Sequence, residues 1–284
     1  MRCRTSVEAA YNRVMKANVA HLPHRSLRYF ESGGGRPVLL LHAFPLSADQ
    51  WLPQLHRVPV GFRFVAPDLR GFRGVGPAFE DLGLGQLSID DYAQDVIALA
   101  AHLDLDRFVV CGLSMGGYVA FALQRLVPAR VAGLILSNTR AGADSADARA
   151  GRDRMIDLAR HEGPEGVARE MVPKLLGDTT RRDQPDLADA VRRLILVNSV
   201  DGIVSAVGAL KTRADSTPGL AEIGCPALVI TGEEDAIIPV SEAEVMARGI
   251  PNASLVVLPK LGHLSNLEDP AAWSRAFEAG LNAM

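Results

Sequence analysis

The strongest candidate for chemistry in this chain is Ser114, which stands between Gly112 and Gly116 in the run VVCGLSMGG of residues 109–117. An apolar run followed by Gly-x-Ser-x-Gly predicts a strand, a sharp turn and a helix. The turn is so tight that the neighbours of the serine must lack side chains, and it leaves the hydroxyl exposed. Ser114 is therefore a candidate nucleophile. Because this pentapeptide is common, the rest of the chain must supply a base and an orienting acid.

The candidate base is His263, one of seven histidines in the chain. It lies in the segment Leu-Gly-His-Leu, just beyond an apolar run at residues 255–258 and Pro259. A loop that follows a sheet strand allows a histidine to reach back over the edge of the sheet where ligands bind. Most of the other histidines have no such setting: His21 and His24 lie in the N-terminal segment, and His56, His102 and His161 are predicted to be surface residues.

Three acidic residues compete for the role of the acid, directly after an apolar run at residues 227–230. Glu233 and Glu234 could be solvated turn residues. Asp235 precedes an apolar Ala-Ile-Ile-Pro segment that predicts its burial. A buried carboxylate is suited to accept the Nδ1–H of a histidine, so Asp235 is the candidate acid.

Alternating apolar runs and helical patterns predict the elements that position these residues. Helices are predicted from the Ser88 capping box and over residues 115–127, where Pro128 follows. Runs that are apolar on both faces and are separated by helices indicate a parallel sheet covered on both sides. The sequence therefore predicts a three-layer α/β sandwich with a mostly parallel sheet and strands at residues 38–41, 62–66, 108–111, 131–136, 227–230 and 255–258.

One long segment interrupts the alternation. Residues 140–218 contain no convincing strand. Helical patterns occur at 155–161, 167–176 and 187–197, and residues 177–185 are rich in turn-forming residues. This predicts a helical cap, or lid, over the carboxyl edge of the sheet, with a mere long crossover as the alternative. The arginines of this segment are expected to face solvent. The predicted organisation is a core of residues 25–139 and 219–284, a cap of residues 140–218 and an N-terminal extension of residues 1–24.

Composition excludes several classes of protein. A net charge of −3 over 284 residues gives no sign of a nucleic-acid binder, and no apolar run approaches the roughly 18 residues of a membrane span. The first 20 residues lack the apolar core of a secretory signal. Three cysteines (Cys3, Cys111 and Cys225) are too few and too scattered for a disulfide framework or a zinc site. We expect a cytoplasmic protein without metal or cofactor, acting on a small molecule; its oligomeric state is not predicted.

Several separate motifs resemble those of the α/β-hydrolase superfamily along residues 25–284. They are the nucleophile motif GLSMGG (112–117), the oxyanion-loop motif LHAFP (41–45), the turn PDLRGF (67–72), the acid loop GEED (232–235) and the histidine loop GH (262–263). The order Ser114, Asp235, His263 is also that of the superfamily. Within the superfamily, the sequence most resembles cap-bearing esterases and lactonases, including those of the 3-oxoadipate enol-lactonase type.

This resemblance implies a serine hydrolase that cleaves carboxylic esters or lactones through an acyl-enzyme, with Ser114, His263 and Asp235 as the triad. The backbone N–H groups of Phe44 and Met115 would form the oxyanion hole. The superfamily usually has glycine where Ala43 stands, so alanine must suit the local φ; His42 is expected to be a structural hydrogen-bonding residue. The alternatives are a C–C bond hydrolase, a perhydrolase or an acyltransferase with the same triad, or a slowly turning-over receptor.

The residues that flank the motifs predict an apolar acyl pocket, although core packing explains each of them equally well. Such a pocket suits uncharged esters or lactones of short to medium acyl chain. If an arginine of the cap points inward, a carboxylated lactone becomes plausible. The substrate and its chain length stay open. The predicted pocket residues are Phe44, Leu46, Met115, Ile237 and Leu264 from the core and Met171, Leu175 and Leu176 from the cap.

Overall fold

The computed structural model describes residues 15–23, 25–73 and 86–284. Within these ranges a central eight-stranded sheet has the strand order β1-β2-β4-β3-β5-β6-β7-β8. Its strands are β1 (Asn18–Leu22), β2 (Arg25–Gly33), β3 (Arg36–Leu41), β4 (Phe62–Pro67), β5 (Phe108–Leu113), β6 (Val131–Ser137), β7 (Ala227–Gly232) and β8 (Ala253–Leu258).

The sheet is parallel from β4 through β8, and only its N-terminal edge is antiparallel. Strand β1 pairs antiparallel with β2, and β2 pairs antiparallel with β4. The mostly parallel α/β sheet is therefore as predicted, and all six predicted strands are present. Within the predicted N-terminal extension of residues 1–24, Asn18–Leu22 form an edge strand, because their backbone groups pair with β2. Residues 1–14 and 24, with Cys3 and His24, lie outside the described residues.

Helices flank the sheet and connect its strands. In the described part of the chain they are α1 (Leu52–Leu55), α2 (Ile89–His102), α3 (Met115–Leu126), α4 (Ala146–Leu175), α5 (Asp178–Asp183), α6 (Pro185–Leu196), α7 (Val200–Thr212), α8 (Val240–Gly249), α9 (Ser265–Glu268) and α10 (Pro270–Ala283). Short 3-10 helices occur at Ala48–Trp51, Pro128–Arg130 and Thr217–Glu222.

Helix α2 begins at the predicted capping box. The Ser88 hydroxyl accepts the Asp91 backbone N–H at 3.2 Å, and the Asp91 carboxylate accepts the Ser88 N–H at 2.8 Å. Each side chain satisfies an N–H that the first turn of the helix leaves free. The apolar face of α2 is buried, so the helix covers the sheet next to α3.

Four helices, α4 to α7, occupy the segment between β6 and β7. Helix α4 is interrupted at Gly163, whose φ of 64° is followed by Pro164. Two local predictions are wrong here. Residues 178–183, which were predicted to form turns, form α5, and helix α7 was not predicted. The cap boundaries at residues 140 and 218 stay a prediction.

The inserted helices pack on loops at the carboxyl ends of the parallel strands. Asn198 Nδ2 donates to the Pro45 carbonyl at 2.8 Å, in the loop after β3. A Cβ at Gly202 would lie 1.9 Å from the Gly71 carbonyl oxygen, in the loop after β4. The Leu264 N–H, in the loop after β8, donates to the Leu175 carbonyl at 3.0 Å. These contacts place the helices above the loops in which the candidate chemistry lies.

In the described ranges, no single helix is both long and apolar enough for a membrane crossing. Helices α6 and α7 reach the length and apolar composition of a membrane span only when they are taken together, and the angle between them is 97°.

Candidate active site

Ser114 occupies a strained turn between β5 and α3. Its φ of 55° and ψ of −112° lie in a region that costs a non-glycine residue about 1–3 kcal/mol. The flanking glycines are required by close backbone approach: a Cβ at Gly112 would lie 2.2 Å from the Gly116 carbonyl oxygen, and one at Gly116 would lie 2.2 Å from that of Leu41. The turn is anchored by Ser114 N–H on the Ser137 carbonyl at 3.0 Å. Its side chain remains partly exposed, as a nucleophile requires.

Asp235 and His263 form a buried hydrogen-bonded pair. His263 Nδ1 lies 2.8 Å from Asp235 Oδ2 and 3.0 Å from Oδ1. Because a carboxylate only accepts, Nδ1 carries the proton and Nε2 is left as the basic nitrogen. The two competing carboxylates do not contact the histidine: Glu233 accepts the Lys260 N–H, and Glu234 accepts Thr179. Of the three acidic residues, Asp235 therefore has the geometry of an orienting acid.

The Asp235 carboxylate is held by three further donors. Oδ1 accepts the backbone N–H groups of Ile237 and Ile238, each at 2.9 Å, and Oδ2 accepts Asn138 Nδ2 at 2.9 Å. Burial raises the pKa of this carboxyl, but the charge of His263 and the hydrogen bonds outweigh burial, so the pKa lies below its usual value. The group stays ionised and fixed in orientation.

Asn138 is a site residue that the sequence analysis missed. Its amide nitrogen also donates to the Gly262 carbonyl at 3.1 Å, and its Oδ1 accepts the Ser265 hydroxyl at 2.6 Å. Asn138 thus ties the acid loop to the histidine loop. The three partners in the acid and histidine loops lie 97 to 127 residues away in the chain, so no local pattern marks Asn138. Its place just after the apolar run of β6, at the same sheet edge as Ser114, was the available signal.

Ser114 and His263 line one small cavity of about 40 Å³. Three predicted pocket residues, Phe44, Met171 and Ile237, line it as well. The other residues on its wall are Tyr118, Arg140, Arg152, Leu210 and Ile238. The remaining predicted side chains are fully or almost fully buried in the hydrophobic core: Leu46, Met115, Leu175, Leu176 and Leu264.

Two backbone N–H groups near Ser114 are free to hold an oxyanion. Met115 is the first residue of α3, where helix N–H groups lack an intrahelical acceptor. Phe44 follows Ala43, whose own N–H donates to Gln50 Oε1 at 2.9 Å. Among the described residues neither the Phe44 nor the Met115 N–H finds a hydrogen-bond acceptor. Ala43 does not have a positive φ, so alanine fits where glycine is usual.

His42 is a fully buried structural histidine. Its Nε2 accepts the Leu69 N–H at 3.0 Å, so its Nδ1 carries the proton and donates to the Ala43 carbonyl at 3.0 Å. Burial lowers its pKa to about 4, and the ring is neutral. His42 therefore joins the loop after β3 to the loop after β4 and matches the expected structural role.

Two arginines of the inserted segment depart from expectation. Arg140 and Arg152 were expected to face solvent, but both are half-buried and line the cavity with Ser114. They turn inward because the buried carboxylate of Asp144 accepts hydrogen bonds from both, at 2.8 Å and 3.0 Å.

Comparison with known proteins identifies the family of this chain. Residues 38–276 match the model of the alpha/beta hydrolase family. The chain belongs to this family. The match spans every strand from β4 to β8 together with the loops that carry Ser114, Asp235 and His263, so the nucleophile turn and both partner loops lie within the family's domain.

Proteins similar to this alpha/beta hydrolase include lactonases and an esterase. It is 28% identical over 245 residues to 3-oxoadipate enol-lactonase 2 of Acinetobacter baylyi, covering 86% of this chain and 88% of the relative. A solved thermophilic esterase from Thermogutta terrifontis, with malate bound, is 38% identical with a TM-score of 0.86, covering 94% and 98% of the two chains. The enol-lactonase from Burkholderia xenovorans is 26% identical with a TM-score of 0.84, covering 93% and 100%.

Proposed function

We propose that this protein hydrolyses carboxylic esters or lactones through an acyl-enzyme on Ser114. The observation that carries the proposal is the buried Asp235–His263 pair at 2.8 Å, whose histidine shares a cavity with Ser114 in its strained turn. An esterase and two enol-lactonases among the similar proteins support the same reaction class.

In the first half of the reaction, Ser114 Oγ attacks the acyl carbon while His263 Nε2 takes the hydroxyl proton. The carbonyl oxygen becomes an oxyanion that accepts the N–H groups of Phe44 and Met115. Collapse of this intermediate breaks the acyl–oxygen bond, and His263 gives the proton to the leaving alcohol oxygen. Asp235 holds the imidazole orientation and stabilises its charged form.

In the second half, water attacks the acyl-enzyme with His263 Nε2 again as the base. The Ser114–acyl bond breaks, the proton returns to Ser114 Oγ, and the carboxylic acid leaves. In a lactone the alcohol and the acid belong to one molecule, so a single hydroxy acid leaves. No metal or cofactor enters either half.

Hydrolysis of p-nitrophenyl acetate and butyrate tests the proposal. We expect turnover by the wild-type protein and a loss of about 10⁴-fold or more in kcat for Ser114→Ala, because removal of the nucleophile leaves only binding and the oxyanion hole. Ser254→Ala, on the exposed edge strand β8, is the matched control and should keep full activity.

A fluorophosphonate probe should label the wild-type protein and fail to label Ser114→Ala. Absence of labelling together with absence of hydrolysis of any ester or lactone would overturn the proposal. A panel of linear esters, lactones and diketones, with peroxide or alcohol as the alternative acceptor, separates ester hydrolysis from C–C cleavage, perhydrolysis and acyl transfer by the same triad.

A further inference from the structure

The wall of the Ser114 cavity carries more positive than negative charge. Arg140 and Arg152 line the cavity, and Arg213 lies behind them. All three guanidinium groups share one carboxylate, that of Asp144: Arg140 Nη2 lies 2.8 Å from it, Arg152 Nε 3.0 Å and Arg213 Nη1 2.6 Å. Within this cluster three positive charges face one negative charge, an excess of two positive charges.

Arg213 is the most heavily contacted of the three: both of its Nη atoms donate, and of its three nitrogens only Nε lacks a partner among the described residues. Its guanidinium donates to the carbonyls of Leu210 and Gly142, both at 3.0 Å, and stacks 4.3 Å above the Tyr118 ring. Its side chain is almost completely buried. Burial raises the pKa of Asp144, but its hydrogen bonds with Arg152 and Arg213 outweigh burial and hold that pKa below its usual value. Arg213 and Asp144 therefore form a charged support behind the cavity wall.

Arg140 and Arg152 keep more of their donors unused. Each guanidinium has five N–H donors. Within the described residues Arg140 uses only Nη2, and Arg152 uses only Nε. The Nε of Arg140 is buried without any hydrogen-bond partner among those residues. A buried guanidinium donor without an acceptor is costly unless a ligand supplies one, and a carboxylate fits the fork of N–H groups best.

We propose that the substrate carries a free carboxylate, apart from the bond that is cleaved, and that Arg140 and Arg152 bind it. This inference rests on the proposed function. The rest of the cavity wall is mostly apolar (Phe44, Met171, Ile237), so one anionic group accounts for the two arginines. The substrate class is accordingly the monoesters of short dicarboxylic acids and the lactones that bear a carboxylate.

A matched pair of esters tests the assignment. Monomethyl succinate carries the free carboxylate, and methyl levulinate has an acetyl group of similar shape in its place. For the wild-type protein we expect kcat/KM to be at least about tenfold higher on the anionic ester, since a charged hydrogen bond is worth that much or more. Arg152→Met should lower kcat/KM on monomethyl succinate by about 10- to 100-fold and leave that on methyl levulinate within about threefold.

Three further variants control for folding and for general charge. Arg152→Lys keeps a positive charge and should recover part of the preference. Arg140→Met should behave as Arg152→Met does. Arg154→Met lies on the same helix with its side chain exposed, and it should change neither kcat/KM. Thermal unfolding of each variant shows whether the fold is intact.

Binding of succinate to Ser114→Ala, followed by calorimetry, tests the carboxylate site without turnover. We expect binding that Arg152→Met, combined with Ser114→Ala, weakens at least about tenfold. Equal kcat/KM on the two esters with no succinate binding would overturn the carboxylate site and leave the hydrolase proposal standing. Succinate binding without hydrolysis of any ester and without labelling of Ser114 would overturn the hydrolase proposal and leave the carboxylate site standing.

Discussion

At the scale of single residues, the Asp235 carboxylate is the most heavily constrained group of the site. Each of its oxygens accepts hydrogen bonds, from two backbone N–H groups on one side and from Asn138 on the other, and His263 Nδ1 bridges both. A carboxylate with this many donors has one orientation and stays charged. The imidazole ring is fixed as a result, with Nε2 as its basic nitrogen.

His42 makes the free energy of unfolding depend on pH, and a substitution of this residue can separate its contribution from that of other groups. Its pKa falls from 6.5 to about 4 on folding, because burial disfavours the charged ring. The unfolded chain therefore binds a proton between these values that the folded protein does not, so the contribution of His42 to stability is present above about pH 6.5 and is lost as the pH falls towards 4. We expect about 2 kcal/mol of this contribution to disappear between pH 7 and pH 5.

The comparison of wild-type protein with His42→Gln measures this loss, since glutamine does not titrate. Urea unfolding at pH 7 and at pH 5 gives the free energy of unfolding of both proteins. Wild type should be more stable at pH 7, and the difference should shrink by about 2 kcal/mol at pH 5. A difference that is constant or grows on acidification would mean that His42 is not held neutral by burial.

The residues that sequence predicted and those it missed differ in one physical respect. Asp235 and His263 lie in the loops after β7 and β8, and their residue types are those that a serine nucleophile needs, so strand position and residue type together predict them. Asn138, Arg140 and Arg152 owe their roles to partners that come together only in the folded chain. Asn138 bonds residues 97 to 127 positions away, and the two arginines are turned inward by the single buried carboxylate of Asp144. No spacing rule encodes these contacts.

At the scale of elements, the close packing of α3 on β3 holds the nucleophile turn. Gly116, in the first turn of α3, lies so near β3 that a Cβ would be 2.2 Å from the Leu41 carbonyl oxygen and 2.9 Å from the Leu41 Cβ. Backbone in a central strand cannot move aside as a side chain can. We expect Gly116→Ala to lower the free energy of unfolding by about 1–3 kcal/mol and to reduce kcat by displacing Ser114.

Gly208→Ala, in α7, is the matched control. A Cβ there meets no atom within 4 Å, so alanine should stabilise the helix by up to about 1 kcal/mol. Both variants are compared with wild type by urea unfolding and by p-nitrophenyl acetate hydrolysis. If Gly116→Ala kept wild-type stability and activity, the close approach of α3 to β3 would not be what positions Ser114.

Two of the elements that sequence missed, β2 and α5, have no continuous apolar run. Strand β2, with the sequence RSLRYFESG, mixes apolar and polar residues near an edge of the sheet, and its Arg28 pairs with Asp68 at 2.7 Å. Helix α5, with the sequence DTTRRD, is polar throughout and has no apolar face to signal it. The central parallel strands are buried on both faces, and this is why they could be recognised.

At the scale of the whole molecule, two glutamates fasten the inserted helices to the core beside the site. Glu234, next to Asp235, accepts the Thr179 backbone N–H at 2.7 Å and the Thr179 hydroxyl at 2.6 Å. Glu268 accepts the Gly177 N–H at 2.9 Å and the Gly262 N–H at 3.0 Å. Both carboxylates satisfy N–H groups at the start of α5, which a helix leaves without acceptors.

This fastening bears on access to the site, because a cavity of about 40 Å³ is far smaller than the roughly 300–1,000 Å³ of ordinary ligand pockets. We therefore expect the inserted helices to shift away from the core when a substrate binds. The hydrogen bonds between Glu234 and Thr179 are among those that join the inserted helices to the core and that such a shift would break. Removing them should raise the population of the open form without altering the Asp235–His263 pair.

Hydrogen exchange on Glu234→Ala tests whether Glu234 holds α5 against the core. The loss of a charge-assisted hydrogen bond in a partly buried setting should speed exchange of the Thr179 amide by about tenfold or more. Glu233→Ala is the matched control, since Glu233 is exposed and contacts Lys260 rather than the inserted helices. Equal exchange at Thr179 in the two variants would show that Glu234 does not fasten α5. Faster exchange in Glu234→Ala alone, with the core strands still protected, would show that this hydrogen bond holds the start of α5 on the core.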